Sequence, residues 1–278
     1  MLAEETKCPS VSVVIRNRNE GVHLRKVLRA LSQQVRRADE LIIVDNESTD
    51  GSPEIARQAG ARIVGIGQQE FSYGGALNRG IAEAKGTIVI LLSAHSYPIG
   101  PHFLVDAVAP FQDSAIAAAT FRTVAGPSAY WTEPRSLQGE VSWKDLWWYG
   151  PSNWGCALRR SVWEHIPFEE QVEAAEDKGW AQRVLRNGYS ISASGAFIWY
   201  MRRRPFWEGI RAFRREQVGS MRVSGQIGEP MTASDVSRAL VRQLVLAGRG
   251  TLEILLRWVI VHTAARAAKR APRLGSVR

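Results

Sequence analysis

An α/β fold, with a mostly parallel central sheet flanked by helices, is what this 278-residue chain predicts, and three observations carry the prediction. Four short apolar, β-branched runs alternate with helix-patterned segments between residues 10 and 92. The runs are apolar at consecutive rather than alternate positions, as strands covered on both faces must be. Each closes on polar turn formers, which would gather hydrophilic loops at one edge of the sheet.

Residues 10–16 (SVSVVIR) read as the first strand, broken by NRNEG at 17–21. A helix over 23–33 follows, with Leu24, Val27, Leu28 and Leu31 on one face and Arg25, Lys26 and Arg29 on the other. Residues 41–44 (LIIV) are a second strand ending at Asp45; NESTDGS then turns into a short helix over 53–59, with Pro53 suited to a first helical turn. A third strand spans 61–65, a helix closed by Gly86 spans 76–85, and TIVILL at 87–92 is the most apolar strand of the chain. Strand–helix repeats of this length imply parallel crossovers. Ligands in such sheets bind beyond the carboxyl ends of the strands, which here are residues 16–17, Asp45 and residues 93–96.

From Phe121 the pattern becomes irregular, and six of the ten tryptophans (Trp131, Trp143, Trp147, Trp148, Trp154, Trp163) fall in this stretch. They suit either a packed, β-rich second lobe or an aromatic platform for a sugar ring, since indole joins a large apolar face to one donor. Farther on, residues 206–222 place Phe206, Trp207, Ile210, Phe213 and Met221 on one helical face and Arg211, Arg214, Arg215 and Arg222 on the other. A second, more apolar stretch at 235–269 is interrupted by Arg238, Arg242, Arg249, Arg257 and Arg266.

The formal net charge of +9 is unevenly placed: residues 1–199 sum to −2 and residues 200–278 to +11. This argues against a uniform nucleic-acid coat, since a basic footprint is confined to the C-terminal part, and no nucleic-acid partner is expected. Cys8 and Cys156 form no CxxC pair, which argues against a disulfide scaffold and a thiolate zinc site. The polar N-terminal MLAEETKCPS has no secretory apolar region, and no run approaches 18 uninterrupted apolar residues. A cytoplasmic location is the expectation.

Gly65 and Gly67 lack the third glycine of a dinucleotide fingerprint, and no P-loop occurs. What remains is Asp45, a carboxylate closing a central strand. It reads either as a turn stabiliser beside Asn46 and Ser48 or as a ligand contact at the carboxyl edge.

Taken together, VSVVIRNRNEG, LIIVDNESTDGS, FSYGGALNRGIAEAKG, NWGCALRRSVWEHIPFEE and AAEDKGWAQRVLRNGY resemble family 2 glycosyltransferases of the GT-A fold. The third and fifth segments lean toward the rhamnosyltransferase-like branch. The resemblance implies a nucleotide-diphosphate sugar donor, transfer with inversion, and a glycan or lipid-linked acceptor. It places Asn17, Arg18, Asn19 and Glu20 beside the nucleotide and Asp45 on its base or ribose. Gly74, Gly75 and Asn78 would lie near the donor, as would Ser93, Ala94 and His95, while Trp154, Gly155 and Trp180 would lie toward the acceptor. Of the acidic pair, Asp177 is expected to be the general base and Glu176 a neighbour orienting it or the acceptor. A positioned carboxylate can take the hydroxyl proton, and a helix start, as EDKGWAQRVL reads, also favours acidic residues. The implied organisation is a catalytic domain over 1–200, with a nucleotide-sugar half at 10–100 and an acceptor half at 101–200. A basic amphipathic helical extension follows at 201–278.

One departure stands out. Where the family places an Asp-x-Asp motif to hold a divalent cation against the donor diphosphate, this chain has Ser93-Ala94-His95-Ser96. Mn2+ and Mg2+ favour hard oxygen ligands, so loss of both carboxylates weakens such a site, and His95 is the one remaining candidate ligand. A histidine that the family often carries near the end of the domain is replaced by FIWYM at 197–201. Either metal binds weakly through His95, or arginines such as Arg202, Arg203 and Arg204 stabilise the diphosphate as charge-assisted donors, or the domain binds without turnover. Catalysis with weak or no metal dependence is the expectation, with no organic cofactor. The alternative is a degenerate GT-A-like module binding a sugar nucleotide or polysaccharide. The arginine-faced helices suit a peripheral membrane surface or ordinary packing on the body.

Overall fold

Among the described residues the β-branched runs become strands and the amphipathic segments helices, with ends within four residues of those the sequence indicates. The computed structural model describes residues 9–124, 135–201 and 206–226. In order these form β1 (Val11–Asn17), α1 (Gly21–Ser32), β2 (Glu40–Asp45), α2 (Ser52–Gln58), β3 (Arg62–Gly65), α3 (Tyr73–Ala82), β4 (Ile88–Ser93) and β5 (Ser96–Ile99). There follow α4 (Phe103–Val108), a 3-10 turn (Ala109–Gln112), β6 (Ile116–Thr123), β7 (Leu137–Gln138), α5 (Trp143–Tyr149) and β8 (Gly155–Arg159). The last elements are α6 (Arg160–His165), α7 (Glu176–Arg186), β9 (Ser190–Tyr200) and α8 (Phe206–Gln226). Helix α3 begins earlier than its apolar period indicates because Ser72 caps it, accepting from the Gly75 N–H at 3.0 Å.

The strand order is β3-β2-β1-β4-β8-β6-β9-β5, with β7 on β9. Strands β3, β2, β1 and β4 are mutually parallel; β8 runs antiparallel to β4 and β6, and β9 parallel to β6. The Trp-rich region therefore supplies strands to the same sheet, and its described part is no separate lobe. Because the chain steps outward from β1 to β2 and β3 and then returns to place β4 on the other side of β1, the sheet has a topological switch point between β1 and β4.

The two-residue pleat assigns faces. Val11, Val13 and Ile15 join Leu24, Val27, Leu28 and Leu31 of α1 in the main core cluster. Val14 points the other way, where a Cβ at Gly80 of α3 would collide with it and with Val44, so only glycine permits this close approach of α3 to the sheet. Arg16 shares the face of Val14, and so lies on the side that α3 covers.

Two compact units are present: residues 1–171 with 177–202, and residues 172–176 with 203–278. Within the second, Gly219 lies against the Ala174 carbonyl with no room for a Cβ, and Arg222 pairs with Glu173 at 3.4 Å. Along α8, Ala212, Met221 and Val223 are buried while Arg211, Arg214, Arg215 and Arg222 are exposed; of the apolar face the sequence indicates, only Met221 falls among the described side chains, and Phe206, Trp207, Ile210 and Phe213 lie outside them. Among the described residues, no helix is long and apolar enough to cross a membrane. Trp131, Arg202, Arg203, Arg204 and the stretch 235–269 lie outside the described residues.

Candidate active site

The loops after β1 and β2 are sewn together at the carboxyl edge. Asn17 donates through Nδ2 to Asp45 Oδ1 at 2.8 Å and to Ser48 Oγ at 3.1 Å, and Asp45 Oδ2 accepts from the Ser48 N–H at 2.9 Å. Asp45 is thus a turn stabiliser as well as a carboxylate at the crevice, buried with both oxygens engaged. Asn19, at φ 50°, accepts from the Thr49 N–H through Oδ1 at 2.7 Å, and Arg18 donates to Gln68 at 2.9 Å.

At the end of β4, Ser93 and Ala94 are fixed by their backbone: Ser93 N–H donates to the Trp154 carbonyl at 3.3 Å and Ala94 N–H to the Arg16 carbonyl at 3.0 Å. His95 is buried and meets Glu20 through Nδ1 at 2.6 Å, with its ring edge-to-face on Tyr200 at 4.8 Å. Tyr200 in turn meets Trp154 edge-to-face at 4.6 Å, so His95, Tyr200 and Trp154 form a short aromatic row. Two of the residues replacing the Asp-x-Asp motif are therefore tied to groups that sequence reasoning did not join to them, Ser93 to Arg16 and His95 to Glu20.

Asp177 stands in the first turn of α7. Its Oδ2 accepts from the Asn153 N–H at 3.0 Å and its Oδ1 from the Lys178 N–H at 2.8 Å, so the carboxylate has one fixed orientation. Lys178 is buried, with Nζ on the Gly150 and Pro151 carbonyls at 3.1 and 2.7 Å. Arg16 reaches the same place from β1, donating through Nη2 to the Asn153 carbonyl at 3.0 Å. The buried Cys156 thiol registers these charges: its pKa is pushed up to about 12, chiefly by burial and then by the Asp177 carboxylate, with Lys178 and Arg16 opposing the rise. Glu176 is also buried, and Ala175 before it has φ 65°, a left-handed conformation costly for a non-glycine residue.

Other expected residues are placed differently. Asn78 spends both ends of its amide on the protein. Its Oδ1 accepts from Trp163 Nε1 at 2.9 Å and the Phe168 N–H at 3.0 Å, while Nδ2 donates to the Phe168 carbonyl at 2.9 Å and Glu170 at 2.8 Å. Gly74 packs against the Glu169 carbonyl with no space for a Cβ. Trp180, expected toward the acceptor, is only 1% exposed, stacks on Phe168 at 5.2 Å and donates to the Ile166 carbonyl at 2.6 Å. It is a core residue that no acceptor can touch. Gly155 is buried in β8 facing Ile198, whereas Trp154 remains half-buried at the crevice.

The sequence places Arg16 only as a strand end at the carboxyl edge, with no role given to its side chain, and does not single out Tyr73, Asn153 or Tyr200. A charged residue closing an otherwise apolar strand was a usable signal for Arg16; Asn153 acts through its backbone and carries none.

The donor set at the β4 end does not fit a resident metal centre. Ser93 and Ala94 bring no carboxylate, the Glu20–His95 pair is joined to itself, and no group of three or more His, Cys, Asp or Glu among the described residues is placed to hold an ion.

A parallel sheet with a β1/β4 switch point, continued by antiparallel strands and carrying an acidic helix start beside its carboxyl edge, defines the GT-A class of nucleotide-sugar-dependent folds. The chain belongs to glycosyl transferase family 2, whose model matches residues 12–210. An O-antigen chain rhamnosyltransferase of Salmonella anatum is 28% identical over 199 residues, 66% of this chain and 63% of that relative, so the match spans less than two thirds of the relative's length. A glycosyltransferase of Haloferax volcanii is 25% identical over 77% of this chain and 74% of its own. Among solved structures, a mannosyltransferase of Pyrobaculum calidifontis in complex with GDP-Man and Mn2+ superposes with a TM-score of 0.61 at 19% identity, over 97% of this chain and 77% of that one. A glucosyl-3-phosphoglycerate synthase of Mycobacterium tuberculosis, in complex with Mn2+, UDP and glucosyl-3-phosphoglycerate, gives 0.54 at 21% identity, over 81% and 82%.

Proposed function

We propose that this family 2 member transfers a sugar, with inversion, from a nucleotide-diphosphate donor to a hydroxyl of a glycan or lipid-linked acceptor. Asp177 acts as the general base. The observation that carries this reading is the Asp177 carboxylate, locked by two backbone N–H groups beside the β1/β4 crevice. The base takes the acceptor hydroxyl proton as that oxygen attacks the anomeric carbon; the bond from that carbon to the diphosphate oxygen breaks, and the nucleoside diphosphate leaves with the electron pair. Asn17, Arg18, Asn19, Glu20 and Asp45 border the nucleotide, and Glu176 orients the base or the acceptor. The half-buried Trp154 and its partner Tyr200 offer an aromatic wall for a sugar ring. The rhamnosyltransferase relatives favour a deoxyhexose donor in polysaccharide synthesis.

The Ser-Ala-His-Ser chemistry supports weak or no metal dependence, with protein cations facing the leaving diphosphate. Turnover of donor after exhaustive chelation is the test: activity is expected to persist, and complete loss restored by Mn2+ sinks the metal-free part. Equal inactivity of the wild type and Asp177→Asn with every donor favours instead a binding module without turnover.

A further inference from the structure

We propose that Arg16 is the fixed cation that grips the donor diphosphate, a role the sequence suggested for arginines beyond residue 201. The inference rests on the glycosyl-transfer reading above and adds to it the residue that contacts the leaving group. Position comes first. Arg16 and Ser93 are register partners on β1 and β4, the two strands whose carboxyl ends flank the switch point. Arg16 therefore lies one residue from the carboxyl end of β1, beside the first residue of the motif in which both metal-binding carboxylates are missing.

The guanidinium is also held in advance. Nη2 is anchored on the Asn153 carbonyl at 3.0 Å and approaches Ser93 Oγ at 3.5 Å, and the Tyr73 ring lies 5.1 Å from the guanidinium carbon. A planar fork immobilised this way loses little freedom when it binds two phosphate oxygens.

Its charge, moreover, is not neutralised. Among the described residues no carboxylate lies within ion-pair distance of Arg16, Nη1 has no hydrogen-bond partner, and the buried Nε has none either. A half-buried guanidinium without an anion is expensive to keep, and a bound diphosphate supplies the missing charge. The fold's own use for Arg16, bracing the 153 carbonyl, needs a single donor and leaves the rest of the fork unused.

The full-length chain, in buffer containing EDTA, is titrated with UDP, GDP, dTDP, CDP and ADP and with the matching nucleosides, as wild type, Arg16→Gln, Arg16→Lys and the triple variant Arg202→Gln, Arg203→Gln, Arg204→Gln. The expected result is that Arg16→Gln weakens the best diphosphate about 10- to 100-fold while its nucleoside binds as before, with Arg16→Lys recovering part of the loss. Unchanged diphosphate affinity in Arg16→Gln overturns the proposal and leaves glycosyl transfer standing. Equal loss of nucleoside and diphosphate also overturns it, by showing a purely structural brace, as does a selective loss that appears only in the triple variant. Binding by the wild type that appears only when Mn2+ replaces EDTA overturns Arg16 as the fixed cation and leaves glycosyl transfer standing, whereas a wild type that binds none of the diphosphates under either condition brings down the glycosyl-transfer reading itself, and Arg16 with it.

Discussion

Both oxygens of Asp177 face backbone N–H groups, so Asp177→Asn must turn a carboxamide NH2 toward one of two donors as well as lose the proposed base. Transfer is expected to fall about 10²–10⁴-fold while donor affinity changes little, a split that initial rates over a donor titration resolve. Cys156 tests the electrostatics of the same corner. With its pKa pushed up to about 12, by burial first and by the Asp177 carboxylate after it, it should resist alkylation at pH 8 in the native protein and react once denaturant opens the fold; labelling followed by mass spectrometry reads both states. At this scale the sequence displayed acidic residues well, because Asp45 and Asp177 interrupt recognisable patterns. It concealed partners joined by the fold: nothing in the chain order brings Arg16 to Asn153, or Glu20 to His95.

Elements are held in register by polar residues at their ends. Glu40, opening β2, accepts from Ser12 Oγ and the Lys85 N–H, both at 2.5 Å, and from Arg62 at 3.0 Å, so it joins β1, β2 and the turn after α3. Burial alone would raise its pKa, but these bonds and the Arg62 charge outweigh that and hold it below the usual 4.5. A lowered carboxyl pKa stabilises the fold above that value, and the contribution fades as pH falls through the folded-state pKa. Glu40→Gln should therefore cost about 1 kcal/mol in urea melts at pH 7 and progressively less as the pH falls below 4.5. Asn78 does comparable work between α3 and the loop after α6. Removing its four bonds by Asn78→Ala should cost about 2–3 kcal/mol, measured by the same melts, leaving Trp163 and the Phe168 backbone without partners. Strand and helix positions were legible because apolar period and turn residues agree locally. The use of Asn78 was not, since a loop 90 residues away supplies its partners.

For the molecule as a whole, the step in charge at residues 199–200 falls three residues before the division after residue 202, but residues 172–176, just before Asp177, carry Glu173 and Glu176 into the C-terminal unit. The four exposed arginines of α8 allow the peripheral-membrane expectation to be tested on the intact chain. Replacing Arg211, Arg214, Arg215 and Arg222 by Gln removes about 1 kcal/mol of attraction per residue to an anionic surface, so flotation with phosphatidylserine vesicles should drop sharply. Unchanged recovery would assign these arginines to solvent. The fold's parallel half was readable from order alone, whereas the joining of the Trp-rich region to the same sheet depends on β8 pairing with β4 across more than 60 residues, a contact no local pattern announces. Asn153 gives that long-range assembly a kinetic meaning: its N–H holds Asp177 and its carbonyl holds Arg16. With Asp177 as the proposed base and Arg16 as the proposed diphosphate contact, the two halves of the reaction share one peptide-scale pivot, and a shift of the 150–153 segment would misalign proton removal and departure of the nucleotide together, so substitutions there should lower turnover and donor affinity in concert rather than trade one for the other.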